Sequence, residues 1–235
     1  MTKSSVQQSI YNNSDTVFWG GMAVAIGSFG VVVASAFYAL SPVSAVLPMP
    51  SLLFVNALNG MIAGRIPMMA AGTIGILFDI ILAVGTLMLM VFRNPAGMQI
   101  ERAGWAFVTI SVLIFVMVDS LSAGVLTQIA AQDGAMPAFV GFKLLFDTLF
   151  ILGTIAFELG IPLILVSELK SKSSVLVKPL IWIGMFAALI GLLSGILYFA
   201  NVSLPQGIGI SIAGGTFIFA IYGVQIARSV RKEFL

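Results

Sequence analysis

Residues 138–167 read AFVGFKLLFDTLFILGTIAFELGIPLILVS, thirty positions with three charges, Lys143, Asp147 and Glu158. The apolar residues run on without the in–out alternation of a strand. At about 1.5 Å per residue, the run is long enough to cross about 30 Å of hydrocarbon as a helix. Only helices and closed barrels satisfy their backbone inside a membrane, and a barrel needs alternation. The stretch therefore reads as a membrane-spanning helix. Projected at 3.6 residues per turn, Lys143, Asp147, Thr154 and Glu158 share one narrow sector. Lys143 and Asp147, four apart, are spaced for an internal ion pair. Pro162 removes the helix hydrogen bond to the carbonyl of residue 158 and tends to kink the helix beside Glu158.

The rest of the chain follows the same pattern. Of 235 residues, 60% are hydrophobic and 9% charged, against about 25% charged in a soluble domain. Such a chain cannot cover a water-facing surface. Hydropathy gives six spans, at about 17–40, 67–92, 104–131, 138–167, 177–200 and 206–229. Pro67, Pro137 and Pro205 fall at helix starts, and Asn94-Pro95 and Asn201 mark turns. The expected fold is an all-α, polytopic six-helix bundle over residues 17–229. A polar N-terminus (1–16) precedes it and a basic C-terminus (230–235) follows. The first apolar run is too long for a signal-peptide core and reads as a retained helix.

Orientation follows from the basic residues. With the N-terminus in the cytoplasm, Lys3, Arg93, Arg102, Lys170, Lys172, Lys178, Arg228, Arg231 and Lys232 lie inside, and Arg65 and Lys143 outside. The positive-inside rule then puts both termini in the cytoplasm of a multi-pass cell-membrane protein. Residues 41–66 (SPVSAVLPMPSLLFVNALNGMIAGRI) fit this scheme least well. They are apolar, yet Pro42, Pro48 and Pro50 break the start, and Asn56, Asn59 and Arg65 interrupt the end. An external hairpin or re-entrant loop and an amphipathic helix in the outer interface both fit. A seventh span would place Lys3 outside.

Nine acidic residues occur in the chain, and Asp79, Asp119, Asp147 and Glu158 sit within apolar runs. A carboxylate in hydrocarbon costs about 2.5–3.5 kcal/mol on insertion scales, so such groups face a bundle interior or a wet cavity. On the second span Gly72, Gly75, Asp79, Ala83 and Thr86 form a small-residue stripe. On the third, Asp119 shares a face with Ser122. Helix rise puts Asp79 and Asp119 about 18 Å from the outer ends, and Asp147 somewhat shallower. Close together, three carboxylates cannot all stay ionised without a cation, a proton or a pairing with Lys143 or Arg65.

The candidate ligand-binding set is Asp79, Asp119, Asp147 and Glu158, with Lys143 as counter-ion and Thr154, Asn56, Asn59 and Arg65 beside them. The competing reading is a set of interhelical hydrogen bonds, each contributing about 0.6 kcal/mol.

Absences narrow the function. Without Cys or His there is no disulfide, Cys/His zinc site, His-ligated haem or His-based triad. No metal set or cofactor is assigned. The last span has no lysine for a retinal Schiff base, and no P-loop, GxSxG or dinucleotide fingerprint is present. The twelve methionines read as adaptable packing rather than a copper(I) path. The basic residues are too few and scattered for nucleic acid. Expected partners are membrane lipids, a cation or small molecule, and a second copy or a membrane-complex partner.

The leading expectation is a small transporter or binding protein for a cation, proton or cationic/amphipathic small molecule. The alternative is a non-catalytic subunit or assembly factor, docking through the small faces Ala187, Gly191, Gly195 and Gly207, Ser211, Gly215. An intramembrane lipid enzyme has no nucleophile or metal set behind it. The acidic second span (GILFDIILAVGTLMLMVF), the basic turn before Trp105, and ELGIPLILVSEL followed by a basic loop and KPLIWIGMFAALIGLLSGILYF form a further pattern. Over residues 67–200 it resembles an uncharacterised bacterial multi-span membrane family, a domain of unknown function. That resemblance implies a membrane bundle and no activity.

Overall fold

Each long apolar run forms one helix. The computed structural model describes residues 3–42, 46, 54–93, 99–171, 174–199 and 205–232, with side chains from Ser14 and, in the last helix, from Ser211 to Arg231. The helices are α1 (Lys3–Ala39), α2 (Phe54–Ala63), α3 (Arg65–Phe92), α4 (Gln99–Ile129), α5 (Met136–Lys170), α6 (Lys178–Phe199) and α7 (Pro205–Lys232). No strand occurs among the described residues. Five of these segments are long and apolar enough to cross a membrane: α3, α4, α5, α6 and Ser14–Ala39 of α1. Large apolar side chains point outward all round, among them Phe29, Leu77, Ile110, Phe186 and Phe217. Such a surface suits lipid and not water. The protein is a multi-pass, α-helical membrane bundle.

The six long helices form a closed ring. α1 packs on α3, α3 on α4, α4 on α5, α5 on α6, α6 on α7, and α7 returns to α1. Glycines set the closest approaches, as expected where lipid supplies no hydrophobic drive and backbone contact must do the work. A Cβ at Gly27 of α1 would lie 2.7 Å from the backbone of Leu82 on α3. Between α4 and α5, a Cβ at Gly104 would lie 2.9 Å from the carbonyl of Gly160.

Four features differ from the sequence expectation, resolve it or add to it. α1 begins at Lys3 and not near residue 17, because hydropathy marks entry into hydrocarbon rather than the start of helix. In the 41–66 segment, residues 43–45 and 47–53 lie outside the described residues, and the rest holds the ten-residue α2. At about 15 Å it is half the length of a crossing. Its buried Ala57 and Met61 join a cluster with Met68, Val118, Leu126, Phe139 and Phe146, so it is seated on α3, α4 and α5. Finally, α5 continues as helix through Pro162, and α4 carries a π-helical turn at Leu121–Leu126.

Candidate functional site: an acid pair beside an internal cavity

Glycine decides where the first two carboxyl groups meet. A Cβ at Gly75 would overlap the Asp119 carboxyl group, and one at Gly72 would lie 2.5 Å from the Asp119 carbonyl oxygen. The bare face of α3 lets α4 approach until Asp119 lies across it, one turn from Asp79. The two carboxyl groups lie within interacting distance of each other. Two carboxylates this close cannot both stay ionised without a cation or a shared proton. Tyr38 of α1 donates to Asp119 Oδ1 at 2.6 Å. The π turn starts two residues after Asp119, the kind of local widening often found at functional positions.

These groups edge a cavity of about 460 Å³ inside the ring. α1, α3, α4, α5 and α7 all contribute to its walls, which are mainly apolar, with Phe115, Phe146, Phe150 and Phe157 prominent. Its polar side chains are Ser35, Tyr38, Ser41, Asp79, Asp119 and Thr216, and no lysine or arginine is among the described residues lining it. Ser41 and Val46 carry it to the end of the bundle where α1 finishes. Its volume lies within the roughly 300–1,000 Å³ of small-molecule sites.

The other candidate residues lie apart from this cavity. Lys143 and Asp147 pair with each other, both fully enclosed, with the ammonium 4.9 Å from the centre of the Phe146 ring. Lys143 is therefore an internal counter-ion and not an outer-surface charge. Thr154, also buried, donates back to the Phe150 carbonyl at 2.8 Å. Glu158 is fully buried against Gly191 of α6, with Ser211 of α7 alongside. Asn56, Asn59 and Arg65 are exposed. Of the four acids, the structure brings together Asp79 and Asp119.

A second polar cluster, at the opposite end, was not anticipated from the sequence. Arg93 leaves the end of α3 in extended conformation and turns its guanidinium inward. It donates to Glu101 of α4 at 2.9 Å, to Glu168 of α5 at 2.7 Å, and to the hydroxyl of Tyr222 on α7. Tyr222 in turn donates to Glu168 at 2.6 Å. Trp105 and Ser167 donate to Glu101 at 3.1 Å each, and Ser174 and the Val175 amide to Glu168 at 2.9 Å each. Trp105 stacks on Tyr222 with ring centres 5.9 Å apart. Burial works against the charge on Arg93, yet Tyr222, Glu101 and Glu168 hold its pKa above the ordinary arginine value. Glu101 sits in the first turn of α4, where the helix dipole favours an anion. Glu168, at the end of α5, lacks that help and depends on its donors.

Comparison with protein-family models, curated proteins and solved structures finds no match for this chain.

Proposed function

We propose that this protein is a six-span membrane carrier, both termini cytoplasmic, whose cavity takes a small organic cation with an apolar body. The supporting observation is the Asp79–Asp119 pair, with no lysine or arginine among the described residues around it, set into an aromatic-walled cavity of ligand size. Sharing one proton, the pair carries one negative charge. Four phenylalanines beside it offer apolar contact and ring faces to a cation. The six-span count adds α7, which closes the ring between α6 and α1. The orientation rests on the basic residues of the α3–α4 and α5–α6 connections and the C-terminus. It puts the cavity's Ser41 end outside and the Arg93 cluster inside.

The docking-subunit reading drew on the small-residue faces of the last two spans. Those faces are occupied within the chain, since Gly191 meets Ser211 and Glu158, and Gly195 meets Ile155.

The test uses the purified full chain in lipid nanodiscs with tetraphenylphosphonium as probe, followed by uptake into liposomes. Wild type is expected to bind, and the double variant Asp79→Asn, Asp119→Asn, which leaves no negative charge at the site, to bind at least about tenfold more weakly, equivalent to about 1.4 kcal/mol. Absence of both binding and uptake by the wild-type protein rejects the proposal.

A further inference from the structure

Glu158 is the buried acid that the cavity does not use. It is enclosed where α5, α6 and α7 meet. Gly191 leaves room for it, since a Cβ there would overlap Ser211 Oγ and lie 2.7 Å from Glu158 Oε1. Other buried acids have strong partners: Asp147 has Lys143, Glu101 and Glu168 share Arg93, and Asp119 receives Tyr38. Glu158 has no ion pair among the described residues. Neither of its oxygens meets hydrogen-bond geometry with them, and the Ser211 hydroxyl stands beside it.

Among the described residues, the surrounding elements supply no counter-charge. From α6 it faces the bare Gly191, and from α7 the Ser211 hydroxyl. Along α5, Asp147 and Glu168 lie eleven and ten residues away, about 16 and 15 Å, each with its own cation. Tyr198 of α6 lies within electrostatic range of Asp147, and Tyr222 of α7 is bound to Arg93. On α4, packed against α5, Glu101 is bound to Arg93 and Asp119 to Tyr38. An ionised carboxylate in such a place costs several kcal/mol, and a protonated one far less. Hard metal ions take about six oxygen ligands, more than one carboxyl and one hydroxyl supply.

We propose that Glu158 is a separate proton-carrying site, held at the α5–α6–α7 junction and loaded and emptied as those helices move. A proton from water on one side converts carboxylate to acid, and the acid returns it to water on the other. α5 and α7 also wall the cavity through Phe157 and Ile212, the immediate neighbours of Glu158 and Ser211. A ligand seated there bears on the junction, so cavity occupancy and the proton are linked. The link rests on the carrier reading; the proton site does not.

Infrared spectroscopy of the ligand-free full chain in nanodiscs, in H2O and D2O, reads the site directly. Wild type is expected to show a buried protonated-carboxyl band that Glu158→Gln abolishes and Asp119→Asn leaves in place. The same spectrum in wild type and Glu158→Gln overturns the proposal. Should that variant fail to fold, Gly191→Ala presses a methyl group onto Oε1 and must shift the band; an unmoved band overturns the proposal equally. With tetraphenylphosphonium added, a pH indicator is expected to report proton exchange in wild type and none in Glu158→Gln. Equal exchange in both overturns the link and leaves the proton site. No exchange in either overturns the link, and if no probe binds as well, the carrier reading falls while the infrared band still decides Glu158.

Discussion

The two ends of the ring hold their acids in opposite ways. Toward the end where α1 finishes, Asp79 and Asp119 lie against each other beside an open space, Tyr38 donating to Asp119, with no lysine or arginine among the described residues around it. At the other end, Glu101 and Glu168 close on Arg93, and Trp105, Phe219 and Tyr222 fill the volume between them. Both are buried acid pairs drawn from neighbouring helices. The second is complete, with each carboxylate given a cation and several donors, so it fastens four helices and a loop. The first borders a cavity where the second has a cation.

The largest effect is expected from Arg93→Ala. It leaves Glu101 and Glu168, each 2% exposed, as unpaired anions close to one another. Breaking a buried pair from one side costs about 3–5 kcal/mol, and here two acids lose their partner together. Thermal unfolding in detergent should show the loss. Arg93→Lys should recover only part of it, because an ammonium lacks the planar fork that reaches both carboxylates. An alanine variant as stable as wild type would break the contrast at its stronger end.

Gly75→Ala probes the weaker end, with a smaller expected cost. The new methyl group overlaps the Asp119 carboxyl, so either Asp119 turns away from Tyr38 or α4 moves off α3. Overpacking of this kind costs about 1–3 kcal/mol, measured in the same assay. Gly214→Ala is the control: its Cβ would meet Ala187 at 3.4 Å, an ordinary contact, and the change should stay within about 0.5 kcal/mol.

Much of this layout was legible in the sequence because membrane helices announce themselves by length and hydropathy. The α3 glycine stripe and the acids at matched depth also pointed to a close α3–α4 contact, and Gly72, Gly75, Asp79 and Asp119 make it. The i,i+4 spacing of Lys143 and Asp147 was enough to foresee their pair. What stayed hidden depends on rotation about helix axes. Asp147 and Glu158 share a face with each other and yet do not face the cavity, since α5 presents Phe146, Phe150 and Phe157 there instead. The Arg93 cluster was hidden because Arg93 reads as one more cytoplasmic charge. Its signal was Glu101 and Glu168, two of nine acids in the chain, each near the end of an apolar helix where the positive-inside pattern calls only for basic residues.

Among the changes to the acid sites, the smallest effect on stability is expected from Asp119→Asn, and it separates the two ends most sharply. Asparagine keeps the Oδ1 that accepts from Tyr38. Its amide can donate to Asp79, replacing the shared proton with a fixed hydrogen bond. The contacts are kept, so unfolding should change by less than about 1 kcal/mol. An effect approaching that of Arg93→Ala would mean the cavity acids fasten the bundle as the opposite pair does. The distinction between a structural end and a responsive end would then be lost. A neutral result in unfolding, together with altered binding of an organic cation, would locate the role of Asp119 in the cavity rather than in holding α3 to α4.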